Sequence, residues 1–446
     1  MPNNPQKELF SGKTATAIVV ANMIGTGVFT SLGFQLVNIT SGFAIMALWL
    51  VGGIVALCGA LSYAELASRL PRSGGEYNFL SEIYHPCAGF ISGWVSATVG
   101  FAAPTALAAM TFGSYLQAVI PGAPAMLSAS LLVITSVLVH ATSHRNSGAL
   151  QTLFTLLKLL LILGFAIAAL MSLDTWQPIS FTPISTDTAQ IFSGDFFVSL
   201  IYVSFAYSGW NVATYLIGEV DSPQRKIPLV LSVGTLLVIA CYLLLNAVFL
   251  ISAPIEALVG KIDIGVIAAN WAFGEIAGQW MGGLLALLLI STVSAMIIAA
   301  PRVLQMVGED YPFFAWLARR NKHNIPAVAV YTQGSIALLF MWSASFESIL
   351  VFSGATMALN TLFSVVGLFV LRRRQGEPEG NVEFRQPLYP LPALIFSLIT
   401  SATLIFLCIQ RPLQIAVSLV IILSGAAAYW LVTRQRIGNT LPPHQS

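Results

Sequence analysis

Two short runs carry the chemistry of this chain. Ile24-Gly25-Thr26-Gly27-Val28-Phe29 and Phe205-Ala206-Tyr207-Ser208-Gly209-Trp210-Asn211 each place glycine beside polar residues inside an apolar stretch. A helix in lipid must satisfy its own backbone, and irregular backbone is tolerated there only where protein or a water-filled cavity surrounds it. A break in such a helix exposes the amides of one half and the carbonyls of the other. The amides attract a carboxylate and the carbonyls an ammonium; a zwitterionic amino acid matches both. The competing reading is that the glycines only permit close helix packing, and one run alone would not separate the two. The third group is Lys158, placed about ten residues, or roughly 14 Å, into an apolar span. An ionisable group near the middle of a bilayer is a functional candidate because leaving it charged and unpaired is costly; the alternative is snorkelling to a surface. No nucleophile–base pair and no metal-ligand set stands out, so neither an enzyme nor a cofactor nor a metal is expected. His140 and His144 share an i, i+4 face but lack the acidic partner of a zinc-protease motif. Glu65 and Arg69, also i, i+4, suit a local ion pair.

The elements that must position these groups are membrane spans. Of 446 residues, 57% are apolar and only 9% charged, with mean hydropathy +0.82. A water-facing surface needs about 25% charge, which excludes a soluble or nucleic-acid-binding protein. Apolar runs predict twelve spans: Thr14–Val37, Gly42–Leu66, Gly89–Tyr115, Pro124–Ala141, Leu150–Met171, Phe196–Gly218, Leu229–Ile251, Met281–Leu304, Pro326–Trp342, Ser348–Leu371, Leu391–Ile409 and Leu413–Leu431. With both termini cytoplasmic, this count puts all but three of the 20 Lys and Arg on the inner side; Lys261 and Arg411 fall outside and Lys158 within a span. One miscounted span would invert every later loop and destroy that asymmetry. The N-terminal MPNNPQKELFSGK lacks a signal-peptide core, so the first span is expected to be retained. The four cysteines are scattered and read as packing residues. Ile264–Trp271 is expected as a short surface helix, and Glu309–Asn324 as an amphipathic segment along the inner interface or a topology-setting loop.

The two glycine runs lie five spans apart. An odd number of spans per repeat turns the second unit upside down, so the pair predicts an inverted 5+5 repeat (residues 14–171 and 196–371) followed by two extra helices (391–431). The fold class expected is an all-α membrane protein, a single transporter-like domain with substrate held between discontinuous first and sixth helices.

Four stretches carry a resemblance: Met23–Phe29 (MIGTGVF), Ser62–Leu80 (SYAELASRLPRSGGEYNFL), Ser204–Pro228 (SFAYSGWNVATYLIGEVDSPQRKIP) and the sequence around Leu371–Pro390. By these the chain resembles the amino acid, polyamine and organocation (APC) transporters, especially the L-type amino acid transporter-like branch, over essentially its full length. The resemblance implies a LeuT-like fold, with the substrate carboxylate held at Gly25, Thr26 and Gly27. It implies that the ammonium is held by carbonyls at Ile24, Phe205, Ala206 and Ser208 beside Gly209, and that Phe205 is the outer gate. It also implies that Lys158 fills the place of a sodium ion, bridging the first and eighth spans as tether and candidate proton site, so transport would be sodium-independent. Ser291 and Ser294 of the eighth span and Met357 and Asn360 of the tenth are further pocket candidates.

Cationic-substrate relatives can place an aspartate where Ser208 stands; a neutral serine favours neutral amino acids. The single acid Glu219 after Gly218, and Pro301 before Arg302, depart from the family pattern on the inner-gate side. The loop Pro121–Ala123 lacks the cysteine through which animal light chains join a glycoprotein, so no disulfide-linked heavy chain is expected, and a bacterial inner membrane is. The expected partners are an amino acid and the lipid bilayer, with the protein a monomer or homodimer. A polyamine carrier, or a membrane receptor that senses amino acids without moving them, are the alternatives.

Overall fold

The first apolar stretch does not run straight through. Helix α1 (Gly12–Met23) opens on Ser11, whose Oγ accepts from the Thr14 amide, and stops at Met23; α2 (Gly27–Gln35) resumes after Ile24-Gly25-Thr26. The computed structural model describes residues 11–142, 148–172, 176–215, 217, 220, 222–322, 325–375 and 384–438. His144 and Glu219 lie outside the described residues. After α2 come α3 (Gly42–Arg69), α4 (Glu76–Ile83), α5 (Pro86–Val95), a π-helical turn at Ser96–Gly100, α6 (Ala102–Val119), α7 (Ala125–Thr142) and α8 (Gly148–Ser172). The second half holds α9 (Asp187–Ile191), α10 (Gly194–Tyr207), α11 (Val212–Tyr215), α12 (Pro223–Ser252), α13 (Ile255–Leu258), α14 (Ile264–Phe273) and α15 (Glu275–Asp310). A 3-10 helix at Pro312–Ala318 leads to α16 (Ala327–Ser343), α17 (Phe346–Gln375), α18 (Leu391–Gln410) and α19 (Pro412–Gly438).

Ten helical stretches are long and apolar enough to cross a membrane, and α10, α14 and α16 are shorter apolar helices. The outward faces are themselves apolar: Leu131 and Leu138 on α7, Leu160 and Ile167 on α8, and Val420 and Leu423 on α19 are all exposed. Ridges of this kind suit hydrocarbon rather than water. Together they make a multi-pass membrane protein. Inside, α1 and α10 pack on α3 and α12, where the rings of Trp49, Tyr207 and Tyr242 meet edge-on or tilted at centroid distances of 5.9, 5.6 and 5.0 Å. Gly52 and Gly53 let α3 approach closely, because a Cβ at either would strike Val203, Ile239 or the Tyr207 hydroxyl. Such small-residue contacts replace the hydrophobic driving force that lipid removes.

Three segments show detail beyond their apolar runs. The third span is present as Pro86–Val119 and contains a π turn: Pro104 has no N–H to give the Gly100 carbonyl, and Ser96–Gly100 absorbs the mismatch. Ile264–Phe273 forms the short helix expected there, with Ile264, Val266, Ala268 and Ala269 buried against α15, which begins at Glu275, while Asn270 and Trp271 stay exposed. In Glu309–Asn324, the 3-10 helix turns Phe314 and Leu317 into a cluster with Phe90, Leu304 and Val307, while Phe313 and Trp316 stay exposed.

The sequence's Glu65–Arg69 pair is present, with Arg69 Nε 3.1 Å from Glu65 Oε1. It belongs to a larger clamp that spacing could not show. Arg372 of α17 donates Nε to Oε1 (2.8 Å) and Nη2 to Oε2 (2.7 Å) of the same carboxylate, and the Gln386 amide donates to Oε2 at 2.9 Å. The Arg372 guanidinium also lies 3.6 Å over the Tyr389 ring.

Candidate functional site

Both glycine runs are breaks, and they face each other. At the first, Ile24 leaves helical geometry (ψ 77°), and α2 starts at Gly27 with no side-chain cap; the Gly25 amide donates to the Met23 carbonyl (2.8 Å) and the Phe29 amide to that of Thr26 (3.0 Å), which leaves the amides of Gly27 and Val28 facing the break. At the second, α10 ends at Tyr207, Ser208 is extended, and Gly209 sits at φ +99°. A Cβ at Gly209 would also lie 3.0 Å from the Asn22 backbone, so only glycine fits by conformation and by space. The breaks touch directly through Gly27, whose missing Cβ would fall 2.4 Å from Ala206 Cα.

Side chains from other helices hold the breaks open. Lys158, on α8 and 5% exposed, donates from Nζ to the Ile24 carbonyl (3.1 Å) and to Thr292 Oγ1 of α15 (2.9 Å). Tyr242 of α12 places its hydroxyl 2.5 Å from the Met23 carbonyl and 3.1 Å from that of Ala206, so one donor is shared between the two breaks. Ser208 donates both its amide (3.0 Å) and its Oγ (2.7 Å) to the Phe205 carbonyl. Thus the carbonyls of Ile24, Phe205 and Ala206, named as ammonium acceptors, already have protein donors; those of Ile24 and Ala206 each retain a second lone pair, whereas Ser208 engages both of Phe205's.

The breaks open on one cavity of about 860 Å³, lined at its centre by Gly25, Thr26, Gly27, Phe205, Ala206, Ser208 and Gly209. It extends along Thr14, Ile18 and Asn22 of α1 and along Met296, Ala299, Arg302 and Met306 of α15, toward the N-terminal end of α1. At the other end it is roofed. Phe205 packs there with Tyr202, Ile201, Phe346 and Ile349, and Glu347 accepts from the Tyr202 hydroxyl (2.6 Å) and Arg411 Nη2 (2.7 Å). Met357 lines the cavity beside Gly100 of the π turn.

Three sequence candidates stand elsewhere. Ser294 meets His140 Nε2 at 2.7 Å, on the α15 face turned to α7. Ser291 and Asn360 are buried off the cavity wall; the wall side of α15 at this height is Thr292, Ala295 and Met296. Helical rotation decides this: adjacent residues differ by about 100°, and spacing alone did not orient the span. Conversely, spacing did not single out Thr292, Tyr242 or Asn22. Tyr242 lies in an ordinary apolar run, and nothing local marks it.

The glycines give a paired prediction. Gly27→Ala forces a methyl into the α10 backbone, so uptake should fall by at least about tenfold with reduced thermal stability, as overpacking costs roughly 1–3 kcal/mol. Gly25→Ala meets nothing within 4 Å, so its thermal stability should stay within about 2 °C of wild type in detergent melts; equal loss in both variants would refute the geometry.

The sequence profile described as "Amino acid permease" matches residues 10–432. The chain is similar to the cystine/glutamate transporter of Homo sapiens, at 26% identity covering 93% of this chain and 83% of the relative. It is similar to the serine/threonine exchanger SteT of Bacillus subtilis, at 27% with 95% and 96% covered. A third relative is the b(0,+)-type amino acid transporter 1 of Mus musculus, at 27% with 97% and 89% covered. These relatives are named as transporters and exchangers, not as enzymes. The profile spans nearly the whole chain, both breaks included, and the chain therefore belongs to the amino acid permease family, within the APC superfamily.

Proposed function

We propose that the chain is a secondary transporter of neutral amino acids, independent of sodium and working by alternating access. The observation that carries this reading is the pair of breaks across one cavity, uncapped α2 amides on one side and carbonyls on the other. A substrate carboxylate rests against Gly25–Gly27, and the ammonium reaches the carbonyls of Ile24, Ala206 and Ser208 and, by displacing the Ser208 hydroxyl, that of Phe205. The Ile24 carbonyl and Thr292 hydroxyl are oxygen ligands of the kind a sodium ion takes, and Lys158 Nζ occupies them instead. Phe205 closes the outer side, and the cavity is open inward.

Topologically, α10 with α11 and α16 complete twelve spans with both termini cytoplasmic in a bacterial inner membrane. Residues 14–171 and 196–371 form the inverted repeats, with 391–431 appended. The protein acts as a monomer or homodimer without a heavy chain. A polyamine carrier needs an acid at the cavity; among the described residues lining it, Arg302 is the one formally charged side chain, which favours neutral over cationic substrates.

The test is uptake of radiolabelled alanine, leucine and arginine into proteoliposomes in sodium-free buffer, with and without internal unlabelled amino acid. Alanine or leucine uptake without sodium is the expected result, and internal substrate accelerating it would identify exchange. Arginine uptake alone would overturn the substrate assignment, and binding without flux would indicate a sensor.

A further inference from the structure

Glu76 has no part in holding substrate, yet it is among the most enclosed acids in the molecule, fully buried at the start of α4. Its Oε1 accepts from the Tyr63 hydroxyl of α3 at 3.0 Å and from Asn211 Nδ2 at 2.5 Å; its Oε2 accepts from the Tyr215 hydroxyl of α11. Among the described residues no Lys, Arg or His is paired with it. Two of the three donors therefore belong to the segment beyond the second break, and both also line the cavity.

The backbone is docked to match. Gly75 donates its amide to the Thr214 carbonyl at 3.3 Å, and a Cβ on Gly75, which sits at φ +53°, would lie 2.8 Å from the Tyr215 ring. Tyr77, next to Glu76, donates its hydroxyl to Asp310 at the end of α15 at 2.7 Å. The loop Gly74–Glu76 thus grips α11 with a backbone bond, a ring contact and a carboxylate.

We propose that Glu76 is a positioning residue that holds α11 against α3 and α4 at the cavity wall, and so sets the balance between inward-open and inward-closed forms. This rests on the transport reading. To cover the cavity, α11 must move relative to α3 and α4, and that motion strips a buried carboxylate of two donors. An unsatisfied buried charge strongly opposes such a motion, which makes the contact a latch on the open form. An amide in place of the carboxylate keeps one acceptor oxygen but loses the charge and the second acceptor, and its N–H donors fall against the Asn211 amide or a hydroxyl that must turn to accept, so the latch is weakened.

The experiment uses inside-out membrane vesicles carrying full-length protein with Met306→Cys at the cavity mouth, labelled with a membrane-impermeant maleimide. The Met306 parent corrects for native cysteines. Glu76→Gln should slow labelling at least threefold and lower the maximal rate of amino acid exchange at least fivefold. Tyr215→Phe should move both in the same direction by less, and Glu76→Asp should restore part of each. Unchanged labelling, with only thermal stability lowered, would overturn the proposal and make Glu76 a rivet between parts that move together. Slower labelling in Glu76→Gln when the Glu76 parent itself shows no exchange would sink the transport reading while leaving the latch intact.

Discussion

Lys158→Ala abolishes amino acid uptake: initial rates in proteoliposomes are expected to fall at least about 100-fold at unchanged protein incorporation. The lysine donates to the Ile24 carbonyl and to Thr292 Oγ1, and hydrogen bonds from a charged donor contribute about 1.5–3 kcal/mol each. Losing both releases the first break from α15 and leaves its carbonyl short of a donor in a place lipid and packing keep dry. Two such bonds at about 1.4 kcal/mol per tenfold in rate give the stated fall. Lys158→Met, which keeps the packing volume but not the donor, should fail as fully. Uptake above one third of wild type in Lys158→Met would show that the tether is dispensable. Thr292→Val should cost less, because the ammonium keeps its bond to Ile24.

The second large effect falls on stability. Glu65→Ala removes the carboxylate that gathers Arg69, Arg372 and the Gln386 amide, where the side-chain exposures are 0% for Glu65, 3% for Arg69 and 11% for Arg372. Breaking a buried pair by removing one partner costs about 3–5 kcal/mol, because the other charge stays behind unpaired. The variant should lose its monodisperse peak in detergent at temperatures where wild type keeps it. Glu65→Leu combined with Arg372→Met replaces both charges with packing atoms and should recover much of the loss, as such replacements are often neutral. If Glu65→Ala melts within about 2 °C of wild type, the clamp joining α3, α17 and the approach to α18 contributes little.

How much of this was legible beforehand depends on the range of the interaction. The spans follow from apolar runs, since lipid imposes one rule over about 20 residues at a time. Both breaks were legible because glycine next to polar residues in mid-span is a local signal, and the structure interrupts the helices at those residues. Lys158 was legible as a lone charge in an apolar stretch. Ser291, Ser294 and Asn360 were misplaced because polarity marks a residue as unusual without saying which way its helix is turned. Glu65 was seen with its neighbour Arg69 on the same helix face, whereas Arg372, far along the chain, was invisible as its partner.

By itself, the order of residues determined that the chain spans a membrane many times, where its helices fail, and that one cation is carried into the apolar interior. Those outcomes depend on solvent and on the residue next door, and both are encoded locally. Only the tertiary structure decided that Tyr242 serves both breaks, that Phe205 packs against Tyr202, Phe346 and Ile349, and that Glu76 accepts from Tyr215 of α11. Each of those depends on the rotation of one helix against another, and packing of the whole bundle sets that rotation.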